Sequence, residues 1–332
     1  MRIGIYKDTL ANNRGADRAV RNLANALAGR GHDAVLFEKP ELQARLLEHW
    51  DALISAGTNE ILDLAAVGTP LPPVVQQFHT EPAYQFRHWI RRWRRNRAIR
   101  SALLKVAAIQ VLRTEHAEWL FGNVHGLRDS TRVVPIGNWS EISPAMGEPR
   151  PREKLILCPG AINDDKNQQL LIRSFSKLLT AFPDWRLEIY GTGSASREAR
   201  LRRMAERNRG SISLKGFCDL RESYERCAFV AFPSRTEGFS LTIVEAATFG
   251  KPVVMIRDWI GTAAAGGGIV TAPSASAYAD GLRRLMCDPE LCRRMGENAR
   301  TFCSEHYTRE KILDKWESLL ESVVQRNAIL VK

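Results

Sequence analysis

The chain reads as an α/β protein made of two Rossmann-like domains, each with a parallel sheet, and three observations carry that expectation. Short apolar runs alternate with longer helical runs from Arg2 onward, the pattern of strands joined by covering helices. The alternation breaks once, over Asn138–Arg152, where Pro144, Gly147, Pro149 and Pro151 crowd a stretch with few large apolar residues. It restarts at Lys154–Cys158, and 332 residues suit about two domains.

The elements follow in order. Arg2–Tyr6 is a short apolar strand. Ala16–Arg30 places Val20, Leu23, Ala24 and Leu27 at helical spacing, and Gly31 stops that helix. Ala34–Phe37, Ala52–Ser55, Val74–Phe78, Ala107–Leu112 and Arg132–Ile136 continue the strand series. After the break come Trp185–Tyr190, Ser211–Leu214, Phe229–Phe232 and Pro252–Ile256. The expected organisation is a first domain over 1–140, a linker over 141–152, a second domain over 153–307, and a last segment, 308–332. Its helix, roughly Thr308–Val324, is free to pack back on either domain, the N-terminal one included.

Composition narrows the class. The chain is 44% apolar and 26% charged, as soluble globular proteins are, and no run approaches the ~20 apolar residues of a membrane span. With no signal-like start, a cytoplasmic location is expected. Six cysteines are scattered. Cys287 and Cys292 have four residues between them, but no second pair completes a metal site. The net charge of +11 is uneven: Pro82–Thr114 holds eight arginines and Lys105 with no acid, whereas the rest of residues 1–150 has eleven Lys/Arg against fifteen Asp/Glu.

One segment concentrates the chemistry. A buried strand ending at Phe232 leads through the polar turn Pro233–Gly238 into a helix of about Ser240–Phe249, stopped by Gly250. A helix N-terminus at the carboxyl edge of a parallel sheet offers the amides of Phe239, Ser240 and Leu241 to an anion, most simply a phosphate. Glu237 precedes those amides and Glu245 lies eight residues further on. Carboxylates suit hydroxyl groups, so a sugar on one side and a ribose on the other would use both.

The string EGFSLTIVEAATFGKPVV resembles the paired-glutamate motif of the retaining family-4 glycosyltransferases of the GT-B fold, with seven residues between the glutamates. That resemblance implies two Rossmann-like domains whose parallel sheets face each other across a cleft. It implies that Glu237 reaches the donor sugar as a catalytic group. Gly238, Phe239, Ser240 and Leu241 would hold the pyrophosphate, and Glu245 the ribose. CPGAINDDKNQQLLIRSF resembles the segment that opens the family's second domain, so Lys166 falls on the lysine that neutralises the departing phosphate. The family's arginine position is Ala161 here, and Arg235 or Arg257 are the candidate substitutes. NNRGADRAVRNLANALAGRGHDAVLF resembles the family's first loop and helix; of its paired glycines only Gly15 remains, beside Arg14. VVQQFHTEP places His79 where the family has a histidine near the reacting sugar. LKGFCDL matches the loop that meets the nucleobase, with Phe217 and Cys218 as contacts. Gly191-Thr192-Gly193 invites a dinucleotide reading, but Ser196 stands where the third glycine would be.

No Asp-x-Asp occurs, so the sequence points to transfer without metal or other cofactor, the leaving diphosphate being met by Lys166, amides and a helix dipole. The expected function is a metal-independent, retaining hexosyltransferase. Its donor would be a UDP- or GDP-sugar and its acceptor a saccharide or lipid-linked saccharide of the cell-surface polysaccharide or lipopolysaccharide type. The rival is a catalytically weakened relative that binds glycan or nucleotide within an assembly. FRHWIRRWRRNRAIRSALLKVAAI is expected to be helical from Tyr84 on, with Phe86, Trp89, Ile90 and Trp93 on one face and Arg91, Arg92, Arg94 and Arg95 around it. Three readings stay open for it: a core-packed helix with a solvated basic back, a contact with an anionic membrane on the inner face of the cell membrane, or a seat for an anionic acceptor. No nucleic-acid motif is present.

Overall fold

The computed structural model describes residues 1–10, 15–86, 93–145, 152–208 and 210–330. It divides into two compact units, Met1–Asn138 with Arg309–Lys332, and Trp139–Thr308. Unit 1 holds β1 (Arg2–Tyr6), β2 (Asp33–Phe37), β3 (Ala52–Ser55), β4 (Val74–Gln77), β5 (Ala108–Val111) and β6 (Arg132–Pro135). Its helices are α1 (Gly15–Gly29), α2 (Leu42–Arg45), α3 (Thr58–Ala65), α4 (Pro82–Gln85), α5 (Trp93–Leu103), α6 (Thr114–Asn123) and α7 (Leu127–Ser130). The strands pair in parallel in the order β2-β1-β3-β4-β5-β6. Both faces are covered, which is why β3 and β5 are buried along their whole length, Ser55 and Gln110 included. Tyr6, Phe37 and Trp50 stack at one end of this core, at 5.6 and 6.0 Å between ring centres.

Unit 2 holds β7 (Leu155–Pro159), β8 (Arg186–Tyr190), β9 (Ile212–Gly216), β10 (Phe229–Phe232), β11 (Val253–Met255) and β12 (Gly268–Val270). Its helices are α8 (Gln168–Ser176), α9 (Ala195–Glu206), α10 (Arg221–Arg226), α11 (Leu241–Thr248), α12 (Ala275–Cys287) and α13 (Pro289–His306). All pairs are again parallel, in the order β12-β11-β10-β7-β8-β9. Counted from β7, this is the doubly wound 3-2-1-4-5-6 order, with its reversal between β7 and β10.

The last helix, α14 (Arg309–Leu330), belongs to unit 1. It buries Ile312, Leu313, Trp316, Leu319, Leu320 and Val323, a stripe at spacings of three and four. Glu317 then meets His32 Nε2 at 2.9 Å and Arg30 at 2.6 Å. The expected unbroken helix from Tyr84 is corrected: α4 ends at Gln85, Phe86 leaves the helical path at ψ 2° and turns into the core beside Trp119. Sequence reading also left out β12, a three-residue strand that starts on the last of three glycines and has too little apolar length to register. Cys292 is buried with its thiol donating to the Ala228 carbonyl while Cys287 is exposed, so the two do not form a ligand pair.

The glycines of Gly191-Thr192-Gly193 serve close backbone contact. Gly191 has φ +128°, and a Cβ there would lie 2.1 Å from the Gly160 carbonyl oxygen; one on Gly193 would lie 2.2 Å from that of Ile162. Ile162 donates its amide to Thr192, and the loops after β7 and β8 thereby run together. Gly191→Ala should therefore cost unit 2 about 2 kcal/mol or more from combined strain and overlap. Urea unfolding followed by tryptophan fluorescence, with no change in midpoint, would contradict this.

Candidate active site

In unit 2 the loops leaving β7 and β10 meet at the sheet's reversal point, where a crevice opens because the chain turns away in opposite directions. The Arg235 amide donates to the Asp165 carbonyl at 2.7 Å, and Asn167, in the left-handed conformation at φ 54°, donates from Nδ2 to the Pro233 carbonyl. Asn163 Oδ1 accepts the Lys166 amide at 2.8 Å and turns the first loop. Between these fixed backbones Lys166 Nζ meets Glu237 Oε1 at 2.5 Å, and the Ser234 hydroxyl donates to the same oxygen. The ammonium lies 5.1 Å from the centre of the Phe232 ring. Both side chains are mostly covered, 22% and 10% exposed, so bulk water screens the pair only in part.

The helix α11 begins beside this pair. Ser240 caps it, its hydroxyl accepting from the Ile243 amide at 3.3 Å. The amides of Phe239, Ser240 and Leu241 donate to no protein group among the described residues. Phe239 is buried edge-on against Tyr307, whose hydroxyl donates to the Ile260 carbonyl, and this fixes the turn through Gly238. One helical turn on, Glu245 accepts the Tyr224 hydroxyl at 2.8 Å. Tyr224 is fully buried and stacked on Phe249; burial, with the Glu245 charge, drives its phenol well above its ordinary value, so it stays a donor. Behind the lysine, burial pushes the Cys158 thiol up to about 12 against the pull of Lys166, leaving it inert.

The structure brings Lys166, Glu237, Gly238, Phe239, Ser240, Leu241 and Glu245 into one stretch of surface at the ends of β7 and β10. Phe217 and Cys218 sit exposed on the loop after β9, the Cys218 thiol donating to the Asp219 carbonyl. Ala161 is exposed; of the proposed substitutes, Arg257 lies over the Trp259 ring at 4.8 Å and Arg235 lines a pocket against α8. Sequence reading missed Tyr224 and Ser234. Ser234 had a legible signal, a hydroxyl three residues before the glutamate; Tyr224, in a different element, had none.

Unit 1 carries a second pocket at its own reversal point, after β1, β3 and β4. Lys7 pairs with Glu60 and Asp8, and Glu60 is 2% exposed in the first turn of α3, where burial lifts its carboxyl above the ordinary range against the pull of Lys7. Gly57, at φ +146°, leaves the space that Glu60 fills. His79 lines this pocket with a buried Nε2 that has no partner among the described residues, as does the Oε1 of the buried Gln77. Arg95, grouped from sequence with the outward arginines, instead turns to α3 and donates to Thr58 Oγ1 and Asn59 Oδ1 at 3.0 and 2.9 Å. Trp93 and Arg94 are exposed on α5, Trp93 near Arg97. Trp89, Arg91 and Arg92 lie outside the described residues, as does Arg14. Gly15 opens α1, with open space where a Cβ would stand.

Residues 141–302 match the model of the family described as glycosyl transferases group 1. The second unit is a group 1 glycosyl transferase domain. An uncharacterized glycosyltransferase of Haemophilus influenzae is 26% identical over 197 residues, 58% of this chain and 56% of that protein. The O-antigen chain mannosyltransferase C of Escherichia coli is 26% identical over 159 residues, 45% of this chain and 43% of its own length. The matched part thus spans about half the length of these curated relatives. The structure of Anabaena HepE in complex with UDP and glucose superposes with a TM-score of 0.76 at 16% identity, covering 97% of this chain and 100% of that one. The glycosyl transferase domain thereby sits within a GT-B fold of two six-stranded parallel sheets.

Burial, with the nearby Lys7 charge adding to it, pushes the His79 imidazole down to about 4. Between pH 6.5 and 4 the unfolded chain then binds a proton that the folded chain does not, so stability falls as the pH drops through that window. Every tenfold loss of proton affinity on folding corresponds to about 1.4 kcal/mol. His79→Asn should flatten the slope of unfolding free energy against pH in this range; an unchanged slope, or an imidazole titrating near 6.5 by NMR, would contradict the assignment.

Proposed function

We propose that the chain transfers a hexose from a nucleotide-sugar donor, UDP- or GDP-linked, to a saccharide or lipid-linked saccharide, retaining anomeric configuration and using no metal. The observation that carries this reading is the Lys166–Glu237 pair beside the open amides of α11, with Glu245 fixed by Tyr224 eight residues on. A diphosphate seated on the amides of Phe239, Ser240 and Leu241 competes with Glu237 for Lys166. Glu237, released, accepts from hydroxyls of the donor sugar, and Glu245 accepts from those of the ribose. As the acceptor hydroxyl bonds to the anomeric carbon, the bond from that carbon to the nucleoside diphosphate breaks, the hydroxyl proton passes to an oxygen of the departing diphosphate, and the growing charge on that group is met by Lys166 and the helix dipole. On the acceptor side, the unpartnered His79 Nε2, a donor or an acceptor according to tautomer, and Gln77 Oε1, an acceptor, are both suited to sugar hydroxyls. UDP and glucose in HepE support the donor class, and the O-antigen relative supports a cell-surface saccharide of the lipopolysaccharide type as product. Retention rests on the paired-glutamate resemblance.

A donor panel of UDP-, GDP- and ADP-sugars, read by transfer or hydrolysis, tests the proposal. Glu245→Ala should weaken nucleotide binding by roughly tenfold or more, the loss of one or two hydrogen bonds from a charged group. Glu237→Ala should mainly lower turnover. No turnover and no thermal shift with any donor would sink the enzyme reading. The rival, a catalytically weakened binder motivated by the exposed Ala161, predicts a thermal shift without turnover.

No helix among the described residues is long and apolar enough to cross a membrane. We place the protein in the cytoplasm and, through exposed Trp93 and Arg94 on α5, at the inner face of the cell membrane. Co-sedimentation with vesicles containing anionic lipid should drop on charge reversal of Arg94 and Arg97, both exposed on α5; sedimentation that does not change removes the membrane role.

A further inference from the structure

The loop carrying Lys166 has a second, separate cationic side. Lys166 points to Glu237 and Phe232. On the other side a pocket is lined by Asn163, Asp164, Gln169, Arg173, Arg197 and Arg235, and neither Lys166 nor Glu237 enters it. The three arginines come from three elements: Arg173 from α8, Arg197 from α9, and Arg235 from the turn after β10. The turn is pinned by the bond from the Arg235 amide to Asp165.

Charge in this pocket does not balance. Arg197 Nη2 pairs with Asp164 at 2.8 Å, and Arg202 on the same helix is matched by Glu198 at 3.8 Å. Arg173, Arg200 and Arg235 make no ion pair among the described residues. Asp164 registers the surplus: the hydrogen bond and charge of Arg197, then the charges of Arg200 and Arg235, hold its carboxyl below the ordinary carboxylate range. The pocket sits against the first turn of α8, whose dipole adds to the same sign. A carboxylate ligand would answer one of these charges. A phosphate carries about two and offers several oxygens to the flat, forked guanidinium groups. No aromatic ring lines the pocket, so a nucleobase has nothing to stack on.

We propose that unit 2 binds a phosphate group in the pocket of Arg173, Arg197 and Arg235, apart from the donor diphosphate seat, the ligand being free phosphate or the phosphate of a small ester. The bound phosphate accepts from Arg173 and Arg235 and shares Arg197 with Asp164. This site does not depend on the chain being a glycosyltransferase, since it uses neither Lys166 nor the two glutamates.

Titration of the full chain with inorganic phosphate and, separately, glucose 1-phosphate, followed by calorimetry and phosphorus NMR, tests the site. Binding should persist in Lys166→Met, which removes the donor-side cation. It should weaken about tenfold or more in Arg173→Ala/Arg235→Ala, the loss of two charge-assisted contacts. It should tighten in Asp164→Asn, which removes the competing carboxylate. Tighter binding of the ester than of the ion makes a phosphate ester the ligand; equal or weaker binding makes it free phosphate. No binding of either, binding unmoved by the double substitution, or binding abolished by Lys166→Met would overturn the proposal. A parallel UDP titration separates this outcome from failure of the donor reading.

Discussion

Strands β7 and β10 lie side by side although β8 and β9 intervene in the chain, and the site depends on that pairing. One connection leaves β7 toward β8 on one side of the sheet, and the other leaves β10 toward β11 on the opposite side. The space between them cannot be filled by either covering helix, so loop ends rather than helix faces line it. Lys166 comes from one loop and Glu237 from the other, 71 positions apart in the chain, yet they meet at 2.5 Å. Contacts to the backbone fix the approach: the Arg235 amide to Asp165, the Asn167 side chain to Pro233, and the tight passage of Gly191 and Gly193 against Gly160 and Ile162.

The Lys166–Glu237 pair also keeps a half-buried cation satisfied when no diphosphate is present. An ammonium left unpaired in such surroundings would cost several kcal/mol, enough to move the loop. Glu237, with Ser234 behind it, provides the partner and in doing so holds itself near where it is needed. In the proposed reading, diphosphate binding exchanges one anion for another, so the net change is smaller than the sum of the contacts formed. Tyr224 does the corresponding work for Glu245, its buried hydroxyl donating to that carboxylate.

Much of this was legible in the amino-acid sequence because it is local. Strand, turn, Ser240 cap, helix and Gly250 stop follow one another within the residues 229–250, and each has its own side-chain signature. The buried strands of both units were legible for the same reason. What could not be read is what depends on distant partners. Arg95 belongs by composition to a run of surface arginines, yet Thr58 and Asn59 draw it to α3. Glu60 looks like an ordinary first-turn acid until Lys7, 53 positions earlier, is placed against it. Phe86 falls at helical spacing with Trp93, but it closes α4 and packs against Trp119 in the core. In each case tertiary contact overrode a pattern whose period was right.

Ala161 shows how a missing residue is to be weighed once its surroundings are known. A guanidinium at that position would add a charge-assisted contact worth about 2 kcal/mol, some thirtyfold in affinity. Arg235, Arg197 and Arg173 line a pocket that neither Lys166 nor Glu237 enters. Their charge nevertheless remains close by and incompletely neutralised, within a region where fields reach about a Debye length. Such a field attracts a diphosphate without fixing its orientation, and so acts on the rate of encounter more than on the hold. Under the proposed reading the hold falls to the helix amides, Lys166 and the two glutamates, and the turn leading to those amides is tied to the backbone around it through Arg235 and Pro233.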